Sequence, residues 1–323
     1  MNSFEWIDAK SVDEAVTLLS ADERGSTIAK AGGMDLLDLL KEGIIAPVRI
    51  VNLQRIDALR GVQLDDATGL RLGALTTLAE IASSASIRQR YPALAAAAVH
   101  AATPQVRNAA TIGGNLLQRP RCWYFRNELF HGTREEVGRE QSQYGAIFDN
   151  AKTTMVHAST PATALLAYGA SVHVVGKSGR ARTIALSDFL LPPDFDRNRD
   201  TTLGRDEVLT HISLPPLAAN TRAAYHKQTE RDSYDWPICD VAVVLTLADR
   251  KVAAAKIVAG AVAPVPRHLT ASEDLLRGRE IDEKVAAEVA RVAVRGATPT
   301  EKNSYKVPIL ETVIKRTLLA AMA

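Results

Sequence analysis

The sequence predicts an α+β chain with α/β character, and three observations carry that prediction. Short β-branched runs, such as residues 48–53 and 208–214, alternate with apolar stripes at helical spacing. Two Gly-Gly pairs, Gly32-Gly33 and Gly113-Gly114, each follow a short run that reads as a strand or tight turn. A proline pair, Pro215-Pro216, separates these stretches from a last third that reads as paired strands followed by helices.

Composition narrows the function classes. The 323 residues are 46% hydrophobic and 24% charged, an ordinary soluble balance with enough chain for two cores. The net charge of +2 comes from interspersed residues, with no basic stripe suited to nucleic acid. No apolar run approaches the ~20 residues of a membrane span, and the N-terminus lacks a basic region followed by an apolar one. Two cysteines, Cys122 and Cys239, are too few for a disulfide framework or an iron–sulfur cluster.

Taken in order, Ser11 and Glu14 read as a capping box opening a helix to residue 19, with Val12, Ala15, Val16 and Leu19 on one face. Residues 28–31 read as a strand feeding the first glycine pair, 35–42 as a short helix stopped by Gly43, and 48–53 as a strand. Residues 70–74 are expected as a strand, 77–84 as a helix, and 92–101 as an alanine-rich buried helix. Residues 119–157 are polar and irregular, a loop long enough to suggest a function of its own. Thr160 is expected as the N-cap of a helix with Pro161 at its first position, ending at Gly169. A strand at 170–175, a turn at 176–179, a charged loop at 194–202 and a strand at 208–214 follow. Residues 239–247 and 251–262 read as a hairpin about Ala248-Asp249-Arg250. Helices at 272–277, 282–295 and 308–321 are expected to cover it.

The glycine pairs suggest the chemistry. Adjacent glycines reach conformations closed to other residues and allow successive amides to converge on one point. Backbone donors from Lys30 to Asp35 and from Thr111 to Asn115 could hold a diphosphate between them, helped by the Thr111 and Asn115 side chains. Neither pair matches the dinucleotide or P-loop fingerprints, and Gly-Gly also serves ordinary turns. No Ser-His-Asp set, H-E-x-x-H motif or spaced carboxylate pair is present, so no catalytic residue is assigned. Cys122, His131 and His157 fit no zinc spacing, and no metal ligands are assigned.

Ala31-Gly-Gly-Met-Asp-Leu-Leu37 and, later, Arg107-Asn-Ala-Ala-Thr-Ile-Gly-Gly-Asn-Leu116 resemble the FAD-binding medium subunit of the molybdenum hydroxylases. That family includes xanthine dehydrogenase, aldehyde oxidoreductase and carbon monoxide dehydrogenase. The resemblance extends through Gln118-Arg-Pro-Arg-Cys-Trp-Tyr-Phe-Arg126, Glu207-Val-Leu-Thr-His-Ile-Ser-Leu-Pro215 and Tyr225-His-Lys-Gln-Thr-Glu-Arg-Asp-Ser-Tyr-Asp-Trp-Pro237, covering nearly the whole chain in order. The Arg-Pro-Arg-Cys piece is similar to the bacterial periplasmic aldehyde oxidoreductase branch.

The resemblance implies a two-part FAD-binding domain of the vanillyl-alcohol-oxidase (PCMH) type over residues 1–218, with a small α/β part at 1–55 and a larger part at 56–218 containing the insertion 119–157. A C-terminal α+β domain of the carbon monoxide dehydrogenase flavoprotein type follows over 221–323. By the same resemblance the FAD site comprises Ile28, Ala29, Lys30, Ala31, Gly32, Gly33, Met34, Asp35, Leu36, Ala101, Ala102, Thr103, Thr111, Gly113, Gly114, Asn115, Thr160, Leu209 and Lys227. Relatives carry aspartate at the position of Thr160, so this chain lacks a negative charge there. Relatives with the insertion also carry four cysteines for a [4Fe–4S] cluster; only Cys122 remains, and positions near Gly132, Gln143 and Thr153 offer no thiol, so no cluster is expected. The implied partners are a large molybdopterin subunit and a small subunit with two [2Fe–2S] clusters. The complex would oxidise an aldehyde, purine or N-heterocycle, in the cytoplasm or, if exported with a twin-arginine partner, the periplasm. A stand-alone flavin oxidoreductase of related fold and a structural subunit without FAD are the alternatives.

Overall fold

The computed structural model describes residues 2–22, 25–122, 125–126, 143–150, 154–192 and 199–323. Most of the insertion, including Gly132, His131 and Thr153, and most of the 194–202 loop lie outside the described residues.

The chain opens with β1 (Glu5–Asp8), α1 (Val12–Ser20), β2 (Thr27–Lys30), α2 (Leu36–Lys41) and β3 (Arg49–Asn52). The strands form a parallel sheet in the order β1-β3-β2. Ala15, Val16 and Leu19 of α1 pack with Val51 and Leu53. Ser11 caps α1 by accepting the Glu14 N–H, but Glu14 accepts from the Lys10 N–H rather than from Ser11. The expected reciprocal box is therefore displaced by one residue on its return side.

Next come β4 (Val62–Asp65), β5 (Gly69–Gly73), α3 (Leu78–Ser83), α4 (Ala85–Arg90), α5 (Pro92–Val99), α6 (Pro104–Ala109) and α7 (Ile112–Leu116). Beyond the insertion lie α8 (Thr160–Ala167), β6 (Ser171–Val175), β7 (Ala181–Ala185), α9 (Leu186–Phe189) and β8 (Val208–Leu214). The strands make an antiparallel sheet in the order β4-β5-β8-β6-β7. Leu70, Leu72, Val172, Val174 and Ile212 pack with Ala93, Leu94, Ala97 and Ala98 of α5 and with the buried α8. The alanines leave little bulk between α5 and its neighbours, so backbones approach closely. Each Leu, Ile or Val buried here contributes roughly 1.5–3 kcal/mol.

Two expectations change in this region. The second glycine pair lies inside a helical turn, not a loop: Thr111 caps α7 and its hydroxyl accepts from Gly114 N–H at 3.2 Å. Ser159, not Thr160, is the N-cap of α8, accepting the Ala162 N–H at 3.1 Å; this places Thr160 at the first helical position and Pro161 at the second. Serine one residue earlier has the extended backbone (φ −89°, ψ 108°) that a cap requires.

The last third holds β9 (Thr221–Gln228), β10 (Cys239–Ala248), β11 (Lys251–Gly260), β12 (Arg267–His268), α10 (Thr270–Leu276), α11 (Glu283–Ala293) and α12 (Lys306–Met322). Its antiparallel sheet runs β12-β11-β10-β9. Val285, Ala286, Val289 and Ala290 of α11 and Leu310, Val313 and Ile314 of α12 cover one face of β10 and β11. The returning arm of the insertion belongs to this core, since Ile147 and Phe148 pack within it and both amides donate to the Val262 carbonyl. The buried Lys306 ammonium donates to the carbonyls of Tyr144, Gly145 and Ala261 at 3.1, 2.9 and 2.6 Å, which compensates its desolvation. Among the described residues no helix is long and apolar enough to cross a membrane.

Candidate functional site

The two glycine pairs meet. β2 delivers the chain to Gly32, where a Cβ would stand 2.0 Å from the Ala109 carbonyl oxygen at the end of α6. Gly33 follows with φ +82°, a left-handed conformation that glycine adopts without strain. On the other side Gly113 fits against Ala74, donating its N–H to the Ala74 carbonyl at 2.9 Å, while a Cβ on Gly114 would face the Ala31 methyl at 3.8 Å. Neither Gly113 nor Gly114 has positive φ, so smallness and not left-handed geometry is what these positions use.

Between the pairs lies a cavity of about 550 Å³. Residues 28–36 form one wall; Thr111, Gly113, Gly114 and Asn115 form the facing one; Ala101, Ala102 and Leu209 extend it. Thr103, Thr160 and Lys227 do not line it. Thr103 caps α6. Thr160 is buried with its hydroxyl 3.4 Å from the Ala97 carbonyl. Lys227, on β9, donates to the His100 carbonyl at 2.8 Å, one residue before the wall at Ala101. Burial lowers its pKa below the ordinary lysine range, opposed by Asp240 and Asp235.

The sequence reading missed much of the lining. Leu53, Leu59, Ala74, Leu75 and Val208 come from strand ends or the turns beside them, where an apolar residue gives no sign of facing a ligand instead of the core. Glu207, Arg119, Arg121 and Trp236 also reach the cavity. Glu207 is buried and held as a carboxylate below its usual range by the Arg182 guanidinium at 2.6 Å.

An ionic web borders the first glycine turn. Arg126 pairs with Asp35 at 2.6 Å and with Asp38 at 2.8 Å; Arg121 reaches the same two carboxylates at 2.9 and 3.0 Å. The Arg119 amide donates to Asp35 at 2.9 Å, and its guanidinium pairs with Asp200. Asp35 is thus neutralised at the cavity edge, so it presents no uncompensated negative charge to an anion. The Nε–H of Arg121 is buried without an acceptor among the described residues.

The lining suits a ligand with a flat ring and a diphosphate. The N–H groups of Gly32, Gly33, Met34 and Asp35 donate to no acceptor among the described residues, leaving a run of free donors on the cavity wall. Asn115 is oriented by Ser159, whose hydroxyl donates to its Oδ1 at 2.5 Å. The alanine and glycine surfaces at Ala101, Ala102 and Gly114 leave room for a ring. Among the described residues no group of three His, Cys, Asp or Glu side chains is arranged to hold a metal ion.

Comparison with known proteins agrees with this geometry. Residues 2–217 match the family described as the FAD binding domain in molybdopterin dehydrogenase, and residues 224–321 match the carbon monoxide dehydrogenase flavoprotein C-terminal domain. The chain is 30% identical to the aldehyde oxidoreductase FAD-binding subunit PaoB of Escherichia coli, covering 100% of this chain and 98% of that one. It is 29% identical to the carbon monoxide dehydrogenase medium chain of Hydrogenophaga pseudoflava, covering 99% and 97%. A chain in a solved structure of carbon monoxide dehydrogenase from Hydrogenophaga pseudoflava superposes with a TM-score of 0.79 at 28% identity, covering 99% of this chain and 98% of that one.

Proposed function

Because the chain belongs to the family of FAD-binding subunits of the molybdopterin dehydrogenases, we propose that its cavity holds FAD and that the chain serves as the electron-transfer subunit of a molybdenum-containing oxidoreductase. The observation that carries the reading is the convergence of Gly32 on Ala109 and of Gly114 on Ala31, which sets the two glycine segments on opposite walls of one cavity.

In this reading the free amides of residues 32–35 and the Arg121 Nε–H hold the diphosphate, Asn115 and Thr111 donate or accept at the hydroxyl chain, and Ala101 and Ala102 border the ring. Lys227 sets a cation behind that border through the His100 carbonyl. FAD, when bound, takes up electrons singly and releases one or two. The chain's own residues bind, orient and shield it; none among those described is arranged to act as an acid or base on a substrate. The proposed partners are a large molybdopterin subunit, where an aldehyde or N-heterocycle is oxidised, and a small subunit with two [2Fe–2S] clusters. Names such as "medium chain" among the relatives support that assembly. The proposed division into units 1–218 and 221–323 is supported by the family matches, which end at 217 and resume at 224.

Purification of the chain with its co-expressed neighbours tests the proposal. A flavin absorption spectrum and two unlike co-purifying chains are expected. A colourless protein contradicts the FAD assignment, and a yellow protein that purifies alone contradicts the assembly.

A further inference from the structure

Asp240, on β10, is a buried carboxylate with 1% exposure, at the seam where the C-terminal sheet packs on α5 and α8. Side chains of a strand alternate between faces. Cys239, Val241 and Val243 join the core under α11 and α12, whereas Ala242 and Val244 join the core that contains α5 and α8. Asp240 is in step with Ala242 and Val244, so it faces α5 and α8. Two residues stand directly opposite it in register, Lys227 on β9 and Gly260 on β11. Opposite residues of an antiparallel pair share a face, with Cβ atoms roughly 5 Å apart. Lys227 and Asp240 are therefore neighbours on the buried face of one sheet.

The surroundings are built for the carboxylate. The Tyr225 hydroxyl donates to Oδ2 at 3.1 Å. A Cβ on Gly260 would collide with both Oδ1 and the Thr163 hydroxyl of α8, so the missing side chain is what admits them. Burial raises the Asp240 pKa to about 6, opposed by Thr163, Tyr225, Lys227 and Lys306. Burial lowers the Lys227 pKa, opposed first by Asp240 and then by Asp235. Asp240 and Lys227 thus each favour the charged form of the other, and a buried charge that loses its partner tends to neutralise. The pair is also oriented. The Lys227 ammonium donates to the His100 carbonyl at 2.8 Å, next to Ala101 on the cavity wall, while Asp240 lines no part of the cavity.

We propose that Asp240 is a positioning residue for the cofactor: it keeps Lys227 charged and directed at the His100 carbonyl, and so sets the potential of bound flavin without reaching the cavity. The inference rests on the reading of the cavity as an FAD site. It fixes the sign of a substitution. A carboxylate acting directly on flavin opposes the incoming electrons, so its removal would make the midpoint more positive. A carboxylate acting through Lys227 does the opposite: its removal weakens the cation and makes the midpoint more negative.

Spectroelectrochemical titration of the full chain loaded with FAD is the test, using Asp240→Asn, Lys227→Met and the double variant. Asp240→Asn is expected to shift the midpoint negative, in the direction of Lys227→Met, and the double variant to go no further than Lys227→Met alone. Tyr225→Phe removes the donor to the ionised carboxylate; a smaller shift of the same sign is expected, which covers an Asp240→Asn chain that fails to fold. A positive shift or none in the single variants at Asp240 and Tyr225, or additive shifts in the double variant, overturns the inference. Nitrogen-15 NMR of the lysine side chains, in the chain without flavin and with the Lys227 signal assigned by its loss in Lys227→Met, gives a second readout. The Lys227 ammonium is expected to lose its proton at lower pH in Asp240→Asn than in wild type, and an unchanged titration also overturns the inference. Wild-type protein that takes up no FAD refutes the site reading itself, and the inference falls with it even where the Lys227 titration moves.

Discussion

Gly32 sits so close to Ala109 that a methyl group on the glycine would lie 2.0 Å from the alanine's carbonyl oxygen. The obstructing atom is backbone at the end of α6, so it cannot swing aside as a side chain would. Gly32→Ala is expected to separate β2 from α6, lower stability by roughly 1–3 kcal/mol and weaken FAD binding. Gly43→Ala is the control: its φ of +68° costs about 1–2 kcal/mol of strain, but it meets nothing within 4 Å and does not line the cavity. Melting and FAD titration of both variants check this. Equal FAD affinity in Gly32→Ala and wild type would show that the close approach does not shape the site.

Ser159 joins a helix cap to the cavity wall, accepting from the Ala162 N–H and donating to Asn115. Ser159→Ala is expected to lose about 1 kcal/mol of stability from the uncapped helix. It should also weaken FAD binding, because Asn115 loses its orienting donor. Ser159→Thr, which keeps the hydroxyl, should stay near wild type in both measurements.

Lys227 places a desolvated cation 2.8 Å from the His100 carbonyl, next to the alanine wall. Lys227→Met is expected to make the midpoint potential of bound FAD more negative, because a nearby cation favours the more negatively charged reduced form. Spectroelectrochemical titration measures it, and an unchanged midpoint removes Lys227 from the site.

His157 predicts an acid-sensitive fold. Its ring is buried, its Nδ1 accepts from the Ser159 N–H at 3.2 Å, and burial lowers its pKa from 6.5 to about 4. Between those values the unfolded chain binds the proton and the folded chain does not. Stability from this group is therefore complete above pH 6.5 and is lost as pH falls towards 4, on the order of 3 kcal/mol in all. His157→Phe, which cannot titrate, should be less stable at neutral pH for want of the Ser159 contact but show a flatter profile over that range. Urea unfolding across pH separates slope from level, and parallel profiles would contradict the assignment.

What the sequence reveals depends on where an element sits. β8 and β10 are largely buried, rich in β-branched residues and visible as strands, and β11 is visible by its pairing across the short turn at residues 248–250. β1, β4, β7, β9 and β12 were not expected, and all lie at sheet edges. Val62–Asp65 alternates apolar and polar residues but over only four positions, and Ala181–Ala185 carries exposed polar residues with no clean alternation, so neither stands out as a strand. At the cavity, the glycine pairs were legible because few roles demand adjacent glycines. Arg121 is not legible there, since its place depends on the start of the insertion folding back onto Asp35 and Asp38, far apart in sequence. The cap at Ser159 was misplaced because Ser159 and Thr160 are both good caps and only the backbone angles choose between them.

The central claim is that both glycine segments hold one FAD. Hydrogen exchange of the wild-type chain, with and without saturating FAD, tests it most directly, because the amides of residues 32–35 lack protein acceptors among the described residues. The account predicts slowed exchange in residues 32–35 when FAD is added, while the amides of Ile112, Gly113, Gly114 and Asn115, which already donate to Thr76, Ala74 and Thr111, change little. Saturable FAD binding that leaves residues 32–35 unprotected would contradict it.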